Sequence, residues 1–174
     1  MNTSETFKDF IDNLKISNKD DISYKYKRIT KALNKSFYND LDNDTLHSLQ
    51  VGSYGRKTAI DGISDLDMIF EISDADFKKY NSRLNNGQSD LLQDTKKAIQ
   101  KTYSNTDIRG DGQVVAVNFT NYVIEVCPAK LQSDNSYKYP DSNNGGSWKI
   151  TKPRQEITEL NSFNNTTNSN LKNL

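Results

Sequence analysis

Apolar residues fall along this chain in two different rhythms. Phe7, Phe10, Ile11 and Leu14 recur at helical spacing over residues 3–16. Ile22, Tyr26, Ile29, Leu33 and Phe37 do the same, more strongly, over residues 20–38. The spacing predicts two helices, the second long and amphipathic with Lys and Arg on its wet face. Asp20, Asp21 or Ser23 is a candidate cap at its start. The rhythm then changes. Residues 46–51 and 66–72 read as short apolar strands, with a short basic turn after the first. Residues 73–88 are polar, with Asn85-Asn86-Gly87 as a turn. Residues 89–103 read as a helix that turns Leu91, Leu92, Ile99 and Tyr103 inward, and Gly110-Asp111-Gly112 marks a loop. Val114–Phe119 and Tyr122–Cys127 are β-branched and apolar, which predicts two strands around a Thr120-Asn121 turn, the second ended by Pro128. Residues 130–147 are polar and turn-rich. Pro153 stands at a favourable first-turn position for a last helix, with Ile157 and Leu160 as its apolar stripe.

Composition narrows the picture. A length of 174 residues is one domain, or one and a fragment. Lys+Arg and Asp+Glu are both 23, so the formal net charge is zero and nothing argues for a protein that coats nucleic acid. Hydrophobic residues make up only 33% of the chain, yet they fall in clear runs, so a thin core is expected rather than disorder. A single cysteine, Cys127, excludes an internal disulfide framework and reads as a small buried apolar residue. No apolar run approaches the ~18 residues of a membrane span, so the expected location is the cytoplasm. His47 is the only histidine, so a metal or triad role for it is not expected. Asp40, Asp42 and Asp44 alternate as in a calcium loop, but Thr45 stands where that loop needs Gly, and no Glu closes it. That segment reads as a solvated linker. Trp148 is either a core anchor or a platform on which a base stacks.

The chemistry gathers in the stretch from Leu49 to Phe70. Side chains two apart on a strand share a face, so Asp65 and Asp67 should project together. Two adjacent carboxylates repel unless something neutralises them, and hard divalent cations take oxygen ligands. Just upstream, Gly52-Ser53 can offer backbone N–H groups and a hydroxyl to a phosphate. Arg56 and Lys57 either touch that phosphate or lie solvated. Gly55-Arg56-Lys57-Thr58 is no Walker A loop, because Gly and Lys are not adjacent and position 50 is Gln. Gly62-Ile63-Ser64 is no nucleophile elbow, because Leu66 replaces the second Gly. Glu125 is the anomaly of the Val-Ile-x-Val-Cys strand. A buried unpaired charge costs several kcal/mol, so it must be protonated, paired or bound to metal. Alone it is a core carboxylate paired with Lys or Arg, or one turned outward at an edge; beside the Asp pair, metal ligation is the better reading.

The run Gly52-Ser53-Tyr54-Gly55-Arg56-Lys57-Thr58-Ala59-Ile60, followed by Gly62-Ile63-Ser64-Asp65-Leu66-Asp67-Met68, resembles the bacterial branch of the cyclic GMP-AMP synthase and oligoadenylate synthase-like nucleotidyltransferases. The segments Val126-Cys127-Pro128-Ala129 and Gly146-Ser147-Trp148-Lys149 are similar to that family's as well. The resemblance implies an α/β (α+β) fold of the polymerase-β-like nucleotidyltransferase kind, a mixed sheet flanked by helices with a long N-terminal helix. It implies an enzyme of antiphage defence that joins nucleoside triphosphates into a cyclic di- or oligonucleotide and releases pyrophosphate. Catalysis and metal binding then fall to Asp65, Asp67 and Glu125, the last usually Asp in the family. Gly52, Ser53, Arg56 and Lys57 bind the nucleotide. The expected cofactor is two Mg²⁺, with Mn²⁺ as a substitute. The expected partners are nucleoside triphosphates and a downstream effector system, without a membrane or a stable nucleic-acid partner. Family members continue into a helical second lobe, so residues 1–174 are expected to be the catalytic domain with that lobe absent and 153–174 its beginning. By themselves they are expected to bind Mg²⁺ and a triphosphate weakly and to make little cyclic product. Transfer of a nucleotide to a protein, RNA or drug, and a noncatalytic nucleotide-binding module, are the alternatives.

Overall fold

The structure, a computed structural model, describes residues 3–62 and 65–167. Helix α1 covers Thr3–Asn13 and helix α2 covers Lys19–Phe37, close to the predicted pair. Helix α2 turns Ile22, Ile29, Ala32 and Leu33 into the core, whereas Phe7 and Phe10 of α1 stay 57% exposed. The start of α2 differs from expectation. Asn18 holds the N-cap position without a side-chain cap, and Asp21 instead accepts a hydrogen bond from the Tyr122 hydroxyl at 2.7 Å.

Seven strands form one mixed sheet: β1 Ser48–Gln50, β2 Leu66–Glu71, β3 Asp107–Asp111, β4 Val114–Asn118, β5 Val123–Leu131, β6 Tyr137–Asp141 and β7 Ser147–Thr151. Their order is β1-β2-β5-β4-β3, with β6 on the far half of β5 and β7 on β6. Only β2 and β5 pair in parallel; the other pairings are antiparallel. A parallel neighbour needs a long crossover. Here it contains α4 (Asp74–Asn81), α5 (Gly87–Gln100) and the β3–β4 hairpin. Alternation along the strands sorts the two faces. Leu66, Met68 and Phe70, Ile124 and Val126, and Val115 and Val117 bury one face against Ile29, Leu33, Leu91 and Ile99. Each fully buried side chain of this size contributes about 1.5–3 kcal/mol. The opposite face carries Asp67 and Glu125. It is covered only in part, by a smaller cluster around Ile69, Ala129 and Tyr137. Helix α6, Pro153–Thr167, comes after β7.

Three features depart from the sequence reading. Strand β5 runs through Pro128 to Leu131 rather than ending there. Pairing with β4 has ended at Val126 and pairing with β6 begins at Lys130, so the missing N–H at Pro128 deprives no antiparallel neighbour of a partner. Helix α4 lies in a segment read as polar turn. Ser73 caps it, and Tyr80 is its one buried residue, so it shows no apolar stripe. Strands β3, β6 and β7 were likewise hidden, since β3 buries only Ile108 and β7 buries nothing fully. Ile63 and Ser64 of the motif, and residues 168–174, lie outside the described residues.

Trp148 resolves as a core anchor: it packs edge-on to Phe77 with ring centroids 4.9 Å apart, at the margin of the main core. His47 is structural, stacked on Tyr38 with Nδ1 2.7 Å from Asn34 Oδ1. At the root of α6, Arg154 donates to the Tyr137 hydroxyl at 2.8 Å and to Glu71 at 2.9 Å. Tyr137 itself donates to Glu71 at 2.5 Å, which ties α6 to β2 and β6.

Two carboxylates, one in the β5–β6 turn and one at the end of β6, are held below the ordinary range in the folded state. Asp141 takes hydrogen bonds from Lys149 and from the Asn143 backbone and is held at about 2. Ser136 and Lys152 hold Asp134 at about 2. A carboxylate depressed in the folded state contributes stability above its unfolded value of about 3.9, and loses it as pH falls toward the folded value. The double variant Asp134→Asn/Asp141→Asn should therefore have a flatter stability profile between about pH 4 and pH 2 than the parent. Urea unfolding across that range checks it, and parallel curves for the two proteins would contradict it.

Candidate active site

Strand β1 ends at Gln50, and Val51 N–H then donates to Asp67 O at 2.9 Å, pinning the turn to β2. The chain next forms a five-residue helix, α3 Gly52–Arg56, where the sequence suggested a simple turn. Gly52 enters it at φ +56, and a Cβ at this position would fall 1.9 Å from Asp67 Oδ2. The carboxylate of Asp67 thus rests against the Gly52 backbone, an approach open only to glycine. Gly55 N–H bonds to Val51 O at 2.9 Å; the amides before it, from Gly52 to Tyr54, have no carbonyl one turn back inside the helix. Such amides are the part of a helix that suits an anion. The Ser53 carbonyl closes the other end of α3 by accepting from Thr58 N–H at 2.8 Å.

Asp67 and Glu125 stand directly opposite each other in the parallel β2–β5 register. Their carboxyl groups lie within hydrogen-bonding reach, and the bond lowers the proton affinity of Asp67 while raising that of Glu125. Both groups are nevertheless above their ordinary range, first through burial and then through neighbouring negative charge: Asp65 acts on Asp67, while Asp67, Asp65 and Asp111 act on Glu125. Arg56 opposes the shift at Asp67. Asp65 lies just before β2, is exposed, and accepts the Val123 N–H at 2.9 Å, bridging to the start of β5. The structure thus brings Asp67 and Glu125 together and places Asp65 within electrostatic reach of both. Among the described residues, no three Asp, Glu, His or Cys side chains are gathered into a ready set of metal ligands. The donor chemistry still fits a hard cation, because crowded oxygen acids that repel one another are what such an ion neutralises.

Asp67 and Glu125 open on a cleft of about 280 Å³ over the uncovered face of the sheet, whereas Asp65 lines a separate pocket with Tyr54 and Tyr122. Gly52, Arg56, Asp67 and Glu125 line one half, and Ile69, Val114 and Cys127 give the other half an apolar floor. Cys127 keeps some exposed surface, but burial pushes its thiol up to about 12, so it acts there as an apolar group. Arg56 reaches across the mouth to within 3.8 Å of Glu156 on α6. Lys57 goes elsewhere. It ends α3 in the left-handed region and lines a different groove, so the two adjacent basic residues serve different surfaces. Sequence reasoning missed Gln113, Tyr139, Thr151 and Glu156 as cleft residues. Gln113 arrives on the tip of the β3–β4 hairpin, held by Ser142, whose N–H and hydroxyl donate to Gly112 O at 2.8 and 2.9 Å. The others come from strands and a helix far along the chain, and no local pattern marks them.

A mixed sheet flanked by helices, with carboxylates on adjacent strands behind a Gly-Ser turn, is the α+β fold of the polymerase-β-like nucleotidyltransferases. The chain belongs to the Second Messenger Oligonucleotide or Dinucleotide Synthetase domain family, whose model matches residues 1–164. Among solved structures, the CdnE cyclic dinucleotide synthase of Elizabethkingia meningoseptica, solved with GTP and Apcpp, superposes with a TM-score of 0.62 at 21% identity over 93% of this chain and 57% of its own. CdnC of E. coli MS115-1, solved with ATP, gives 0.62 at 17% identity over 92% of this chain and 50% of its own. The CdnE c-UMP-AMP synthase of Rhodothermus marinus, with Apcpp and Upnpp, gives 0.59 at 16% identity over 87% and 58%. The chain thus spans about half the length of the solved proteins it matches. No match is found among curated proteins. Among the described residues, no helix is long and apolar enough to cross a membrane.

Proposed function

We propose that this chain carries the catalytic site of an enzyme that joins nucleoside triphosphates into a cyclic di- or oligonucleotide messenger, with release of pyrophosphate, in antiphage signalling in the cytoplasm. The observation that carries this reading is the Asp67–Glu125 pair, opposed across β2 and β5 with Asp65 beside it and Gly52 packed on Asp67. The reaction forms a bond from a ribose hydroxyl oxygen to the α-phosphorus and breaks the bond to the leaving pyrophosphate. In this reading Gly52 and Arg56, the two residues of α3 that line the cleft, receive the triphosphate, and the apolar floor takes the base. Arg56 exchanges Glu156 for phosphate as the nucleotide enters. Glu125, in its ionised form, is the group that takes the hydroxyl proton in this reading. Asp65, Asp67 and Glu125 would hold divalent metal, two Mg²⁺ or Mn²⁺ in this kind of displacement, which supplies charge neutralisation at the reacting phosphate. The protein's own share of the rate is positioning. Incubating the protein with the four nucleoside triphosphates, singly and in pairs, with Mg²⁺ and analysing the products by mass spectrometry tests the reading. Phosphodiester-linked products with matching pyrophosphate are expected, at a low rate and with little cyclic product. Transfer to an added protein, RNA or drug with no linked nucleotides would overturn it.

A further inference from the structure

A second groove, of about 820 Å³, lies beside α3 and shares no lining residue with the acidic cleft. One wall is the α1–α2 junction and first turn of α2, with Lys15, Ile16, Lys19 and Ile22. The other comes from the end of β1, from α3 and from the segment after it, with Gln50, Tyr54, Lys57 and Ala59. Its volume falls in the range of small-molecule sites, whose walls are mostly apolar with a few polar groups that fix orientation. Its own lining has three ammonium groups and no carboxylate; Asp61 and Asp65 line the adjoining pocket, which shares Ile16, Ile22 and Tyr54 with it. Lys15 is paired with Asp12 at 2.5 Å, but Lys19 and Lys57 form no ion pair with any described residue. Lys57 stands there by virtue of a left-handed backbone, φ 59, that a lysine seldom adopts.

We propose that this groove is a second nucleotide site, which takes a nucleoside phosphate with its phosphates on Lys19 and Lys57 and its base against Tyr54 and Ile22. Two cations alone would serve any anion; the aromatic and aliphatic wall beside them, with the Gln50 amide, selects an anion that carries a flat, partly apolar ring. The groove touches the catalytic turn through α3. Tyr54 comes directly after Ser53, and the Lys57 and Thr58 N–H groups bond to the Tyr54 and Ser53 carbonyls at 3.1 and 2.8 Å. A ligand that draws Lys57 inward therefore acts on the element whose opposite end holds Gly52 against Asp67. Only the choice of nucleotides for the test rests on the function proposed for the cleft. A free nucleoside triphosphate and the cyclic product share the required chemistry.

The test is equilibrium binding to the whole chain in EDTA, where the acidic cleft has no divalent cation to draw a triphosphate. ATP, GTP and a cyclic dinucleotide are titrated against the parent, Lys19→Glu/Lys57→Glu, Lys19→Ala/Lys57→Ala, and Lys101→Glu as a remote charge change. Circular dichroism confirms that each variant is folded. Saturable binding by the parent is expected, weakened about tenfold by charge reversal and less by the alanines, and unchanged in Lys101→Glu. Asp67→Asn should bind like the parent, which separates failure of this site from failure of the cleft. Tighter binding of the triphosphate would assign the groove to substrate, and tighter binding of the cyclic dinucleotide to product feedback. Binding of inorganic triphosphate as tight as that of ATP, an affinity unmoved by charge reversal, or binding of a DNA duplex alone would overturn the proposal.

Discussion

Gly52→Ala should cripple the site while leaving a folded, less stable protein. Two independent costs meet at this residue. Its φ of +56 is a conformation that costs an alanine about 1–2 kcal/mol. The new methyl would also fall 1.9 Å from Asp67 Oδ2, far inside contact distance, so the carboxylate or the turn must move. Either movement pulls apart the groups proposed to hold the phosphate and those proposed to hold the metal. A misplacement of about 1 Å can cost about 100-fold in rate, and a loss of at least that size in nucleotide incorporation is expected. Gly145→Ala separates the two costs. Gly145 has φ +87, yet a Cβ there would meet nothing within 4 Å. It should lose about 1 kcal/mol to backbone strain and keep its activity. Urea unfolding and labelled-nucleotide incorporation on both variants give the comparison. Equal activity in Gly52→Ala and Gly145→Ala would show that the contact between Gly52 and Asp67 carries no function.

That contact also marks how far the sequence could be read. Asp65 and Asp67 on alternate positions of a strand, and Glu125 within an apolar one, announced the acidic cluster by the cost of leaving such groups unneutralised. The register that sets Asp67 opposite Glu125 comes from a parallel pairing between segments nearly sixty positions apart, and no local pattern encodes it. Long periodic segments were legible: α2 and α5 were found because each buries a continuous stripe. Helix α4 and strands β3 and β7 were not, because each leaves most of its side chains in water and so carries little periodicity; β6 was hidden because its buried positions, Tyr137, Pro140 and Asp141, do not alternate and one of them is charged. Pro128 misled for a different reason. Proline ends a strand only where a neighbour needs its N–H, and the two antiparallel neighbours of β5 leave a gap at that position. Arg56 and Lys57 were read as one basic turn, but Arg56 is the last residue of α3 and Lys57 follows it in left-handed backbone, so one faces the acidic cleft and the other the groove.

Asp67→Asn should abolish nucleotide incorporation and at the same time stabilise the fold. The parent holds Asp67 and Glu125 face to face with Asp65 nearby, and each of the two is driven above its ordinary range by burial and by the others' charge. A carboxylate raised in the folded state works against folding as it ionises. Between its unfolded value near 4 and its raised folded value the native state binds more protons, so stability falls as pH rises through that window. Asparagine keeps the shape and removes the charge. The variant should therefore melt at a higher temperature than the parent near pH 7 in EDTA. The difference should shrink toward pH 4, where the parent's pair is protonated. With Mg²⁺ present the order should narrow or reverse, because only the parent then has a full set of charged ligands. Loss of one charged ligand is expected to cost orders of magnitude in rate, since neutralisation of the reacting phosphate is the metal's contribution. Thermal melts with and without Mg²⁺, run beside the incorporation assay, read both halves. A variant that is inactive yet no more stable than the parent in EDTA would mean that the pair is not under electrostatic strain. Incorporation near the parental rate would remove Asp67 from the catalytic site altogether.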